Sequence, residues 1–142
     1  MGGVLAIDHG TRKTGFAVAD ALRITLHPLE TRRLPGDGDE LLEHVRHLVD
    51  ERDVSVLLVG LPRTEAGGET GQSSLVRRFG ARLEESFPGL EVVLYDERLT
   101  TKEAESRLRE AGLTGRKAAG RRDSWSALVL LEDWIRSGEP RP

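Results

Sequence analysis

Three acidic residues, Asp8, Glu97 and Asp123, occupy places in the chain where a carboxylate could do chemistry. Asp8 closes the first apolar run, Val4-Leu5-Ala6-Ile7, in the stretch AIDHGTRKTGFAVAD. An ionised carboxylate at the rim of a dry core is costly unless something cationic meets it. Glu97 stands in Asp96-Glu97-Arg98, after a second apolar run, and Asp123 precedes the run that begins at Ser124. Two hard divalent cations need several carboxylates, with positions left open for water and phosphate. Each residue also has a plainer role. Asp8 suits hydrogen bonds to a turn backbone, Glu97 a salt bridge to Arg98 or Arg121, and Asp123 a helix N-cap. What favours the metal reading is the convergence of all three on one place.

That convergence follows from the elements that carry them. Val4 to Ile7 reads as a strand buried on both faces, and Phe16-Ala17-Val18-Ala19 as its hairpin partner across a turn bracketed by Gly10 and Gly15. Ile24-Thr25-Leu26-His27 reads as a third strand, with Pro28 at an edge-tolerant place. Leu41, Val45 and Leu48 recur at helical spacing between Glu40 and Arg52. Val54 to Val59 is a strand ended by Gly60-Leu61-Pro62. A polar loop, Arg63 to Gln72, then leads to a helix opened by Ser73 or Ser74 and stopped by Pro88-Gly89. Leu90 to Tyr95 is the fifth strand, and Thr100 with Glu103 forms a capping-box pattern for a helix ending near Ala111. Residues 112–122, GLTGRKAAGRR, read as a mobile basic loop, and Asp123 as the start of a last helix.

Hairpins join the first three strands and helices join the rest, which predicts a mixed α/β sheet of order 3-2-1-4-5 with strand 2 antiparallel. The carboxyl ends of strands 1, 4 and 5 then share one edge, where a crevice opens beside strand 1. Asp8 stands at its lip, the end of strand 5 beside it, and the basic loop is long enough to bring Asp123 over it. Strand 4 offers no acid there, and the open space at Gly60 lets Glu97 reach inward. Asp96 is a further acid at the same edge, without an assigned part.

A chain of 142 residues with 37% hydrophobic and 32% charged residues fits one soluble domain spanning 1–142. It has no cysteine, which excludes disulfides and thiolate zinc sites and suits a reducing interior. No apolar run is long enough for a membrane span and no basic flank marks a signal peptide, so the cytoplasm is the expected location. A net charge of −3 argues against a nonspecific nucleic-acid coat but leaves room for local basic surfaces. Arg12, Lys13, Arg98, Arg116, Lys117, Arg121 and Arg122 are candidates for contact with a phosphate backbone; a solvated face is the plainer account of each. Aromatic residues make up 4%, so shape and backbone rather than base stacking would carry recognition.

Four blocks, VLAIDHGTRKTGFAVAD, VGLPRTEAGGETGQSSLVRRFGARL, YDERLTTKEAE and RRDSWSALVLL, resemble the signature blocks of the YqgF/RuvX family over nearly the whole chain and in the same order. That is the small RNase H-like group associated both with Holliday-junction resolution and with pre-16S rRNA maturation. The resemblance implies an RNase H-like fold and metal-dependent cleavage of phosphodiester bonds in ribosome biogenesis. By motif position Asp8, Glu97 and Asp123 form its acidic triad, holding Mg²⁺ or Mn²⁺ in a two-metal site. His9, in the slot after the first Asp, and Trp125-Ser126 depart from the usual pattern, away from the triad. The implied partner is precursor rRNA or branched DNA. Without a visible apolar dimer seam, a monomer or weak homodimer is expected.

Two rivals come from other classes. IDHGT before a basic turn is similar to the first phosphate loop of actin-like ATPases, but those enclose their nucleotide between two lobes and this length supplies one. The other is an RNA- or ribosome-associated binding module with a vestigial acidic site. It is disfavoured by the presence of all three acids.

Overall fold

In a computed structural model, residues 2–63, 68–97, 110 and 116–141 are described; for Glu97 and residues 116–123 the description covers the backbone alone. The elements are β1 (Gly3–Asp8), β2 (Gly15–Ala19), β3 (Leu26–Pro28), α1 (Asp39–Arg52), β4 (Val54–Pro62), α2 (Gly71–Ser86), β5 (Glu91–Glu97) and α3 (Arg116–Arg136). The sheet order is β3-β2-β1-β4-β5, with β2 antiparallel to β1 and β3, and β4 parallel to both β1 and β5. This is the order expected from the pattern of hairpins and crossovers.

Alternation along the strands splits the core in two. Leu5, Ile7, Phe16, Leu57, Val59 and Leu61 face α1 and α2, which bury Leu41, Val45, Val76 and Phe79 against them. Val4, Ala6, Ala17, Ala19, Leu58 and Val93 face α3, which buries Ala127, Leu130, Leu131 and Trp134. Complete burial of β1 from Val4 to Ile7 explains its unbroken apolar run.

Several boundaries differ from the sequence expectation, each for a local reason. β3 starts at Leu26 because the Asp20 carboxylate accepts the N–H groups of Leu22 and Thr25, at 3.3 and 2.7 Å, and Arg23 adopts φ 59°. Residues 20–25 are thus spent on the turn, and Ile24 is 73% exposed. β4 runs through Gly60-Leu61-Pro62 to pair with β5 as far as Pro62↔Glu97. By then β1 has ended, so the N–H that Pro62 lacks is not needed on that side. α2 begins at Gly71, capped by Thr70, with Ser73 at N3 completing a capping box rather than opening the helix.

The largest correction concerns the basic segment. Residues 116–122, expected as a loop, form the first turns of α3, so Asp123 lies inside the helix and not at its start. Lys117-Ala118-Ala119 are favourable helix formers, and the cost of Gly120, ~1 kcal/mol, is too small to break the helix. The remainder of that loop, 112–115, and the helix expected over 100–111, apart from helical Glu110, lie outside the described residues.

Candidate active site

Asp8 is the last residue of β1 and is half-buried. By alternation it belongs to the face that Val4 and Ala6 present to α3. Its register partner on β2 is Gly15. On the other side Ile7 pairs with Val59, so the next level of β4 is Gly60. Asp8 therefore sits between two positions without side chains, on the same face of the sheet.

Position 97 belongs to the same face. Val93 and Tyr95 pack toward α3, and two residues further along β5 comes Glu97, opposite Pro62. Its Cα is two strands across from Asp8 and two residues further along, roughly 12 Å away by standard sheet spacing. Two-metal sites hold their ions about 3.5–4 Å apart, and that span accommodates such a pair. Asp96 points to the opposite face, where it takes a hydrogen bond of 2.9 Å from Arg63 Nε. It is not part of this grouping.

Position 123 comes to the site from above. By helical spacing it lies on one stripe with Ala127, Leu130 and Trp134, all buried against the sheet, one turn before Ala127. The next residue, Ser124, is fully buried and its Oγ accepts the Phe16 N–H at 3.2 Å. Phe16 pairs with Ile7, one step from Asp8↔Gly15. The fold thus brings the three carboxylate positions to one face and one edge of the sheet. Among the described residues no group of three His, Cys, Asp or Glu side chains is gathered as a metal site; the Glu97 and Asp123 side chains lie outside them. Three carboxylates are an all-oxygen donor set, which fits Mg²⁺ or Mn²⁺ by its chemistry.

The turn after Asp8 is tightly built. A side chain at Gly10 would collide with the Lys13 carbonyl, and one at Gly36 with the Gly10 carbonyl. Thr14 is fully buried and its backbone exchanges two 2.9 Å hydrogen bonds with Arg32. His9, on the opposite face from Asp8, donates from Nε2 to the Gly36 carbonyl at 2.8 Å and stacks on Phe79 at 4.2 Å. Burial holds its imidazole below the usual range, outweighing the Gly36 carbonyl and Asp37. Its buried Nδ1 has no hydrogen-bond partner among the described residues. His9 therefore anchors the turn from behind and takes no part at the carboxylate face.

Of the basic candidates, Arg12 is exposed on this turn and Lys13 is half-buried beside it. Arg116, Lys117, Arg121 and Arg122 belong to the first turns of α3, leading into position 123. Arg98 lies outside the described residues. Two clefts, of about 470 and 320 Å³, line the β5 edge near Arg63 and the His9–Phe79 region; Asp8 borders neither. Gly15 and Ser124 escaped the sequence reading. Gly15 could have been found by placing the hairpin in register, which sets it opposite Asp8.

Residues 2–137 match the family model described as RuvX: Holliday junction resolvase. Curated relatives carrying the name "Putative pre-16S rRNA nuclease" include one from Sodalis glossinidius, 36% identical over 134 residues and covering 94% of both chains. Another, from Geobacillus kaustophilus, is 37% identical over 134 residues, covering 94% of this chain and 96% of its own. Among solved structures, the chain is similar to Thermus thermophilus RuvC, with TM-score 0.60, 14% identity and 99% of both chains covered. It is also similar to the Fowlpox virus resolvase in complex with Holliday junction DNA, with TM-score 0.62, 12% identity, and 97% and 99% covered. At these identities the structural likeness establishes the fold, the mixed sheet of RNase H-like resolvases.

Proposed function

Because the chain belongs to the RuvX family, we propose that it is a metal-dependent endonuclease that hydrolyses nucleic-acid phosphodiester bonds, acting on the 5′ precursor segment of 16S rRNA during ribosome biogenesis. The observation that carries the chemistry is the meeting of Asp8, position 97 and position 123 on one sheet face, with glycines on either side of Asp8. The rRNA assignment is supported by the name its curated relatives share at 36–37% identity across nearly the whole chain.

In this reading Asp8 would be the central ligand, with Glu97 and Asp123 completing the set. Divalent cations, if held by these carboxylates, would supply an activated water and counter-charge for the departing 3′ oxygen. The protein's own part is to fix three carboxylates on rigid elements, two strand ends and a helix, so that the scissile phosphate meets a preorganised site. Arg12 and Lys13, next to Asp8 in the chain, offer cations to flanking phosphates, and Arg98 does the same beside Glu97. Arg116, Lys117, Arg121 and Arg122 form a basic approach along α3, where guanidinium groups suit phosphate oxygens. Residues 1–142 work as one nuclease domain in the cytoplasm, as a monomer or weak homodimer.

A second reading, resolution of four-way DNA junctions, is supported by the family description. It requires paired incisions and hence two sites related by a two-fold axis, whereas trimming one RNA end requires one. The test is a side-by-side incubation with Mg²⁺ or Mn²⁺, a precursor-rRNA 5′ segment and a four-way DNA junction, with Asp8→Asn as control. Metal-dependent RNA cleavage that is lost in Asp8→Asn is the expected result. Paired nicking of the junction by a tight dimer with the RNA left intact would favour the second reading. Binding of RNA without cleavage of either substrate would indicate a non-catalytic module.

A further inference from the structure

Ser124 stands on the buried face of α3 among Ala127, Leu128 and Leu131, where an alanine would pack as well. A buried hydroxyl there must be hydrogen-bonded, and it has two partners from distant parts of the chain. Its Oγ accepts the Phe16 N–H at 3.2 Å, across 108 residues, and shares a 2.8 Å hydrogen bond with Thr31 Oγ1, across 93. Thr31 adjoins Arg32, whose N–H and carbonyl both pair with Thr14 on the turn after Asp8. One point thus ties α3, β2 and the segment between β3 and α1 together, one residue from position 123 and one register step from Asp8.

The rest of the α3 contact is mainly apolar, from Val4, Ala6, Ala17, Leu58, Leu131 and Trp134, and its other directional tie, Tyr95 Oη donating to Asp133 at 2.7 Å, lies at the far end of the helix from position 123. Such packing is strong but non-directional, and it tolerates small slides of a helix along a sheet. Hydrogen bonds are directional and weaken steeply when displaced. We infer that the Ser124–Thr31 hydroxyl pair is a positioning device that sets the register of α3 on the sheet and so holds the Asp123 carboxylate at working distance from Asp8. The inference rests on the nuclease reading above and assigns two residues that act through Asp123 without touching the substrate.

The test uses the full chain with Ser124→Ala, Thr31→Val, Thr31→Ser and, in parallel, Asp8→Asn. Cleavage is measured as kcat and KM per folded molecule, and Mn²⁺ binding by calorimetry without substrate. Ser124→Ala is expected to weaken Mn²⁺ binding by about 10-fold or more, as loss of a ligand-orienting partner does. Its kcat falls by a similar factor while KM for nucleic acid holds. Thr31→Val moves both quantities in the same direction by less, and Thr31→Ser restores them. A purely structural role would lower the melting temperature of the metal-free protein and leave Mn²⁺ affinity and kcat unchanged; that outcome overturns the inference. Should Ser124→Ala not fold, the Thr31→Val and Thr31→Ser pair decides the matter alone. Wild-type cleavage and Mn²⁺ binding in Asp8→Asn would refute the nuclease site itself, whereas failure of the hydroxyl variants beside an inactive Asp8→Asn refutes only the positioning role.

Discussion

On the face covered by α1 and α2, β1 and β2 present Leu5, Ile7 and Phe16; on the α3 face the same strands present Val4, Ala6, Ala17 and Ala19. The first face is filled with large side chains, ending at the ring stack of His9 on Phe79. The second is lined with small ones, ending at Asp8 between Gly15 and Gly60. Adjacent residues, Asp8 at the end of β1 and His9 just beyond it, thus fall into different environments on opposite faces of the sheet. Both faces hold the fold together, the α3 face through Leu58, Val93, Leu131 and Trp134. The small face lets a helix approach closely enough for Ser124 to reach strand backbone. Both sides of the sheet stabilise the fold, and the candidate chemistry is confined to one of them.

The sharpest way to break this division is to add a side chain beside Asp8. Gly60→Ala is expected to reduce cleavage on the order of 10²-fold, the cost of an ångström-scale displacement of reacting groups. The protein should stay folded, as judged by its melting curve. Wild-type turnover in this variant would mean that the glycine beside Asp8 is incidental. The complementary variant on the other face, Phe79→Ala, should cost about 3–5 kcal/mol of stability in denaturant titrations. Its kcat per folded molecule should change little. A large fall in kcat with stability intact would show that the faces are not separable.

The smallest effect concerns pH. Burial, joined by the charges of Arg32 and His47, holds His44 below its usual range, and burial does the same to His9. In both cases the unfolded chain binds protons more readily than the folded one. Their contribution to stability is therefore complete above the unfolded pKa of about 6.5 and is lost as pH falls below it. The melting temperature should drop between pH 7 and pH 5.5, and His44→Gln should flatten part of that slope. An unchanged slope would place the acid sensitivity elsewhere.

Much of this architecture was legible in the sequence, and the reasons differ by element. The order of the five strands follows from hairpin punctuation around Gly10 and Gly15 and from helices between the later strands. The edge position of Asp8 follows from its place at the end of an apolar run. α1 is legible because Leu41, Val45 and Leu48 repeat at helical spacing. The start of α3 is not, because glycine and clustered arginine look like loop composition while the helix is sustained from Lys117-Ala118-Ala119 and by packing further along. The cap of α2 was misplaced because Thr70 and Ser73 act reciprocally, and from sequence alone either one can be the first residue of the pair. Ser124 was invisible for a deeper reason: its partners, Phe16 and Thr31, are set by tertiary structure and by no local pattern.

The central claim is that a residue from the last helix and one from the first strand hold the same metal centre. Calorimetric titration of Mn²⁺ into wild-type protein, Asp8→Asn, Asp123→Asn and the double variant tests it most directly. The account predicts that each single substitution removes most of the binding and that the double variant loses little more, because both act on one site. Independent, additive losses, or full Mn²⁺ affinity in Asp123→Asn with the fold intact, would contradict it.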